Sequence, residues 1–198
     1  MKERLALFLT QDPGSTNKAW KLEIINQVQD AFHDVHEKFL DAIALIPQSH
    51  DDQSGTTATI AFVTKDYVIL ANLGDSRAVL STKKSGTIGA IQLTTDHVAS
   101  DPLEKAAVEK RGGKVVKIGG VHRVNGTLAV TRSLGDARLS ELLSQTPDVM
   151  PFTREAVWEM CGELKKDNMI PCFLILASDG LWDVLSNEEA VSSFSVRA

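Results

Sequence analysis

Three aspartates stand beside a glycine where a β-like run ends: Gly74-Asp75, Gly135-Asp136 and Asp179-Gly180. Each has a plain reading as a turn, because glycine tolerates unusual dihedrals and aspartate bonds its own backbone. Asp179 is the hardest to leave at that. It follows Cys172 to Ala177, a nearly all-apolar stretch that reads as a strand buried on both faces. A carboxylate at the mouth of such a strand is partly desolvated, which is expensive unless something positive faces it. Arg77 or Arg132 would serve as an ion-pair partner. A hard cation would serve equally, since Mg²⁺ or Mn²⁺ suits a few carboxylates plus water. Gly180 supplies a bend beside it.

Other reactive residue types carry less. The five histidines, His33, His36, His50, His97 and His122, show no ligand spacing on a common element. His33 and His36, three apart, belong to the polar face of a helix. Ser178 has no histidine in a nucleophile context. The glycine pairs in "RGG" and "KIGG" lack the strand-to-helix setting of a phosphate loop and read as turns. "REAVWEMCGELKK" reads as a solvated amphipathic helix or a loop insertion rather than a docking site.

The elements that must position these residues follow from periodicity. Leu22, Ile25, Val28, Phe32, Val35, Phe39 and Ile43 recur every three or four residues, one stripe on a long helix. Ser15, Thr16 or Asn17 can cap it and Pro47 stops it. From Ser54 the pattern becomes β: Thr57 to Thr64 and Tyr67 to Asn72 around a turn at Lys65-Asp66, then Ala78 to Ser81 and Ala90 to Leu93. Connections this short predict an antiparallel meander. Asp101-Pro102-Leu103-Glu104 opens a second helix, with Glu104 as the reciprocal capping partner, and Gly112 ends it. Short strands are expected near Lys114 to Val116 and Thr127 to Thr131. Ser186-Asn187-Glu188-Glu189 is a capping box that starts a last helix. Helices bracketing a meander predict an α+β fold.

Bulk properties set the limits. A chain of 198 residues, 43% apolar and 24% charged, suits one domain, or one and a half, with a sizeable core. A net charge of −5 argues against nucleic acid or an anionic membrane as partner. Cys161 and Cys172 are too few for a disulfide scaffold or a zinc site and read as small core residues in a reducing compartment. The apolar runs, such as Leu5 to Leu9, are too short to span a bilayer or to make a signal peptide. Cytoplasm or nucleus is the expected location.

Five stretches in order extend the reading: "SGTTATIAF" from Ser54, "ILANLGDSRAVL" from Ile69, "LTTDHVASDPLEKAAVEKRGGKV" from Leu93, "RVNGTLAVTRSLGD" from Arg123 and "FLILASDGLWDVLSNEEAV" from Phe173. Together they resemble the metal-dependent protein serine/threonine phosphatases of the 2C type. The resemblance implies two packed antiparallel β-sheets flanked by helices, with two or more Mn²⁺ or Mg²⁺ ions between them in the complete domain. It implies hydrolysis of phosphoserine or phosphothreonine on proteins by a metal-activated water, through the two-metal logic of lowered water pKa and neutralised phosphoryl charge. Phosphoproteins are the implied substrates, and the chain is expected to be a monomer.

Carried over residue by residue, Asp179 of "SDG" matches a catalytic-metal ligand, and Asp75 of "GDSR" matches an acid near the cluster at a weaker metal site. Asp136 of "LGD" is read as structural or flap-associated. The "VASDP" stretch departs from the family's basic-proline pair after "DH", which alters a surface. The family's early arginine, "MED"-like and "DGHGG" segments find no counterpart here. Its late "DNxT" segment finds none either, since Asp167-Asn168-Met169-Ile170 lies upstream of Asp179. Residues 1–198 are therefore expected to form the middle portion of such a domain, with little turnover alone. A non-catalytic, phosphatase-like binding module is the alternative, and ion pairing of the strand-end aspartates to Arg77 and Arg132 is a third reading.

Overall fold

A computed structural model describes residues 18–45, 54–163 and 172–195. The long stripe forms helix α1, Lys18–Ala44. Its buried seam is Ile24, Val28, Phe32, His36 and Ile43, whereas Leu22, Val35 and Phe39 of the expected stripe are exposed. The seam follows i,i+4 spacing because the helix lies flat along a sheet and needs only one narrow row against it. His36 is thus on the packed face, not the polar one. The proposed caps at Ser15 to Asn17, the run Leu5 to Leu9 and Pro47 lie outside the described residues.

The strands are β1 Gly55–Thr56, β2 Ala58–Val63, β3 Tyr67–Leu73, β4 Arg77–Lys84 and β5 Thr87–Gln92. Then come helix α2 Pro102–Lys110, β6 Val115–Ile118, β7 Val121–Val124, β8 Leu134–Gly135, β9 Asp148–Thr153, α3 Arg154–Met160, β10 Leu174–Ala177, α4 Asp179–Trp182 and α5 Asn187–Ser195. They make two three-stranded antiparallel sheets, ordered β2-β3-β9 and β10-β4-β5, plus the ribbons β1-β8 and β6-β7. Thr127 to Thr131 makes only isolated bridges, Val124–Leu128 and Val98–Val130, so the second ribbon strand lies earlier, at Val121–Val124.

The expected meander is two hairpins in different sheets. β2 pairs with β3 and β4 with β5, but between β3 and β4 the chain crosses at Gly74-Asp75-Ser76 from one sheet to the other. Burial shows why. Ile69, Ala71 and Leu73 of β3 face Ile24, Val28 and Phe32 of α1, while Val68 and Leu70 face Ala78 and Leu174 of the second sheet. Val79 and Ile175 turn to the far side, against Ala190 and Val191 of α5. The layers run α1, sheet, sheet, α5, so the α+β sandwich of two antiparallel sheets flanked by helices is observed. Each fully buried Ile, Val or Phe along these seams contributes roughly 1.5–3 kcal/mol.

Several local expectations change. β10 is the edge strand of its sheet among the described residues and is only half-buried, with Leu176 exposed. Gly180 lies inside the helical turn α4 and makes no bend of positive φ. Asp101 does cap α2, accepting from the N–H groups of Leu103 and Glu104, but the Glu104 side chain turns away to Arg132 and Thr131. The Ser186 box forms as read: Ser186 N–H donates to Glu189 Oε2 at 2.8 Å and Glu189 N–H to Ser186 Oγ at 3.2 Å. Cys161 and Cys172 form a disulfide between the end of α3 and the start of β10. The spacing of two cysteines could not reveal that the fold would bring them together, and their pairing removes the ground for inferring a reducing compartment. "REAVWEMCGELKK" begins as α3, while Asp167 to Ile170 lies outside the described residues. Among those residues no helix is long and apolar enough to cross a membrane.

Candidate metal and phosphate-chemistry site

Asp75 and Asp179, one hundred residues apart in sequence, are brought together by strand pairing. Ala177 of β10 lies opposite Arg77 of β4, so the residues just beyond that pair, Asp179 and Asp75, emerge at the same end of the sheet. Asp183 joins them, one turn after Asp179 along the helical segment, where its N–H donates to the Asp179 carbonyl at 2.7 Å. Burial pushes the Asp75 carboxyl above its ordinary range, and the negative charge of Asp179 pushes it further, with smaller contributions from Asp96 and Asp183. Of these like charges only Asp96 is paired to a cation among the described residues.

Two arginines were candidates for that missing charge, and neither faces it. Arg77 grips Asp96, with Nε to Oδ1 at 3.1 Å and Nη2 to Oδ2 at 2.6 Å, and its Nη1 donates to Asn187 Oδ1 at 2.8 Å. Its guanidinium also lies over the Trp182 ring, 5.3 Å from the centroid, while Trp182 Nε1 donates to the Ala177 carbonyl. Arg77 therefore fastens the helical segment to the sheet beneath the acidic group. Arg132 is held by Glu104 and by Asp148. The ion-pair reading of the strand-end aspartates is accordingly overturned. Asp179 itself is exposed, not desolvated, because β10 is an edge and α4 opens to solvent.

The backbone around Asp75 is held tightly. Gly74 has φ +100, and a Cβ there would lie 2.3 Å from Thr57 Cγ2, so glycine is required at this crossing. Its N–H donates to His97 Nδ1 at 3.1 Å, and its carbonyl accepts from His97 N–H at 3.0 Å and from Asn72 Nδ2 at 3.2 Å. Ser76 Oγ is 2.8 Å from Thr57 Oγ1.

Asp136 lies elsewhere. It is buried, with φ 50, and its N–H donates to the Ser54 carbonyl at 2.9 Å. Its carboxylate occupies the space a Gly55 side chain would need. Burial raises its pKa, against the opposing pull of Ser133 and His36. The structural reading of Asp136 fits this position.

Among the described residues no three Asp, Glu, His or Cys side chains are arranged as a ready metal-binding group. The donor type nonetheless suits a hard cation: Asp75 and Asp179 emerge at one end of the sheet with Asp183 a turn further on, and the charges of Asp179 and Asp183 both act on the Asp75 carboxyl. Asp183 is the residue that sequence reasoning passed over. The signal was present in "SDGLWD", where two aspartates four apart share a helix face. His97 and Asp148 had no such local signal.

Comparison with known proteins bears on the family and the fold. The family model described as protein phosphatase 2C matches residues 9–195. The rice protein phosphatase 2C 50 (Oryza sativa subsp. japonica) is 43% identical over 136 residues, covering 69% of this chain and 30% of that protein. Protein phosphatase 2C homolog 1 of Schizosaccharomyces pombe is 38% identical over 175 residues, covering 85% of this chain and 43% of the relative. Serine-threonine phosphatase 2C from Toxoplasma gondii shares the fold with a TM-score of 0.73 at 24% identity, over 96% of this chain and 61% of that one. The chain thus spans less than half the length of the two curated relatives. It belongs to the protein phosphatase 2C family.

Proposed function

We propose that this chain carries part of the active centre of a protein serine/threonine phosphatase, which hydrolyses phosphoserine and phosphothreonine on proteins. The observation that carries the reading is that pairing of Ala177 with Arg77 brings Asp75 and Asp179 to the same end of the sheet, with no described basic side chain paired to either. Asp75 and Asp179, with Asp183, would hold Mn²⁺ or Mg²⁺. Such a cation supplies Lewis acidity toward water and toward phosphoryl oxygens. The chain's own residues orient the carboxylates: the Gly74 turn fixes Asp75, and Arg77 with Trp182 fixes the helical segment that bears Asp179 and Asp183. On the same reading residues 1–198 form the middle portion of a 2C-type domain. Three carboxylates on one side cannot grip two cations tightly, so the chain alone binds Mn²⁺ weakly and turns over negligibly. The named relatives are phosphatases, so a binding-only role gains nothing from them.

Calorimetric titration with Mn²⁺, run beside phosphate release from a phosphothreonine peptide, tests both parts. Weak binding that disappears in Asp179→Asn is expected. Binding that is unchanged in Asp179→Asn would sink the site assignment. Mn²⁺-dependent turnover by the 198-residue chain, abolished by the same substitution, would overturn the extent proposed for the domain.

A further inference from the structure

His97 is 1% exposed and lies outside the acidic group, yet both polar backbone groups of Gly74 end on it. The Gly74 N–H points at Nδ1, so that nitrogen must carry a lone pair and the ring proton must sit on Nε2. Nε2 lies 3.1 Å from Asp148 Oδ2, an acceptor that fixes that tautomer. The other Asp148 oxygen accepts from Arg132 Nη1 at 2.8 Å, and Arg132 is bound to Glu104, which also accepts from Thr131 Oγ1 at 2.6 Å. A continuous polar chain thus runs from helix α2 through Arg132 and strand β9 to the turn that presents Asp75.

Resting on the cation site proposed above, we infer that His97 is the positioning residue for Asp75, with Asp148 selecting the tautomer that lets it work. The chemistry is that of an outer-shell partner. An imidazole with its proton on Nδ1 would set N–H against N–H at Gly74 and release the residue next to the carboxylate. Ring volume alone could fill the same space. Only the tautomer distinguishes positioning from packing.

The test uses the ¹⁵N-labelled 198-residue chain. Two-bond nitrogen–proton correlations of His97 are expected to show the proton on Nε2, and the Gly74 amide to exchange slowly. In Asp148→Asn the amide oxygen keeps Arg132, the amide NH₂ faces Nε2, and the ring proton moves to Nδ1. The Gly74 amide then exchanges faster, and the Mn²⁺ dissociation constant rises about tenfold. Asp148→Glu, which restores an acceptor, should recover the wild-type tautomer. In an Asp75→Asn background, Asp148→Asn should change Mn²⁺ affinity no further. A wild-type ring protonated on Nδ1 overturns the inference and needs no variant to fold. So does a flipped tautomer with unchanged Mn²⁺ affinity. If the wild-type chain binds no Mn²⁺, the cation reading fails separately. The inference then stands on the Gly74 amide, supported if its exchange follows the tautomer and refuted if it does not.

Discussion

Replacing Arg132 with methionine removes the central link of the polar chain while keeping much of the apolar stem. Glu104 is the partner that suffers. Its side chain is 12% exposed, and Arg132 contacts it through Nε and Nη2. Burial alone would raise the Glu104 carboxyl, but the hydrogen bonds from Arg132 and Thr131 outweigh it and hold the group below its ordinary range. Without Arg132 a nearly buried carboxylate is left with one hydroxyl, a loss of about 2–4 kcal/mol. Asp148 is 42% exposed and can turn to water, so its share is about 0–1 kcal/mol. The sum is about 3 kcal/mol, equivalent for a domain of this size to a fall in Tm of about 6–12 °C. Urea and thermal denaturation at pH 7 measure it. The loss should shrink at pH 4–5, where the unpaired Glu104 can take up a proton, and Glu104→Gln in the Arg132→Met background should restore part of it. A loss under about 1 kcal/mol at pH 7 would refute the claim that this pair is held in a low-dielectric pocket.

Other consequences are open to the same measurements. The hydrogen bond from His97, aided by the Arg132 charge, holds the Asp148 carboxyl down to about 2. A depressed folded pKa adds stability that is present above the unfolded value near 3.9 and is lost as pH falls toward 2. After discounting for solvent at this half-exposed group the contribution is about 1 kcal/mol. Asp148→Asn should flatten the acid limb of the stability profile between those values, and an unchanged limb would remove Asp148 as its source. The two glycines beside the candidate ligands should behave oppositely. Gly74→Ala meets Thr57 and a positive φ and should cost about 2 kcal/mol or more, whereas Gly180→Ala has an open site in a helical turn and should be neutral or stabilise by up to about 1 kcal/mol. Equal effects in a thermal shift assay would contradict the backbone assignment.

What could be read from the residues alone is what local physics controls. The long helix α1, the Lys65-Asp66 turn, the Asp101 cap and the Ser186 box all appear as expected, because each depends on neighbours within a few positions, whereas only part of the expected α1 stripe is buried. The five ordered stretches carried the family. Asp183 was within reach, four residues from Asp179. The two-sheet sandwich was expected from the family resemblance and is observed, but several details that depended on a distant partner went otherwise or went unseen. The meander split into two sheets because β3 is apolar on both faces, and each face found a different layer. His36 looked polar-facing by its type, yet lies buried because the Gly135 N–H needed an acceptor. Arg77 and Arg132 were chemically able to pair with any carboxylate. Only the approach of β5 and α2 gave them Asp96 and Glu104 and left Asp75 and Asp179 with no cation paired to them among the described residues. A sequence determines which groups carry charge, cap and bend. Which of those groups meet is decided by sheet pairing and layer packing, because burial energy is summed over the whole interface rather than over neighbours in the chain.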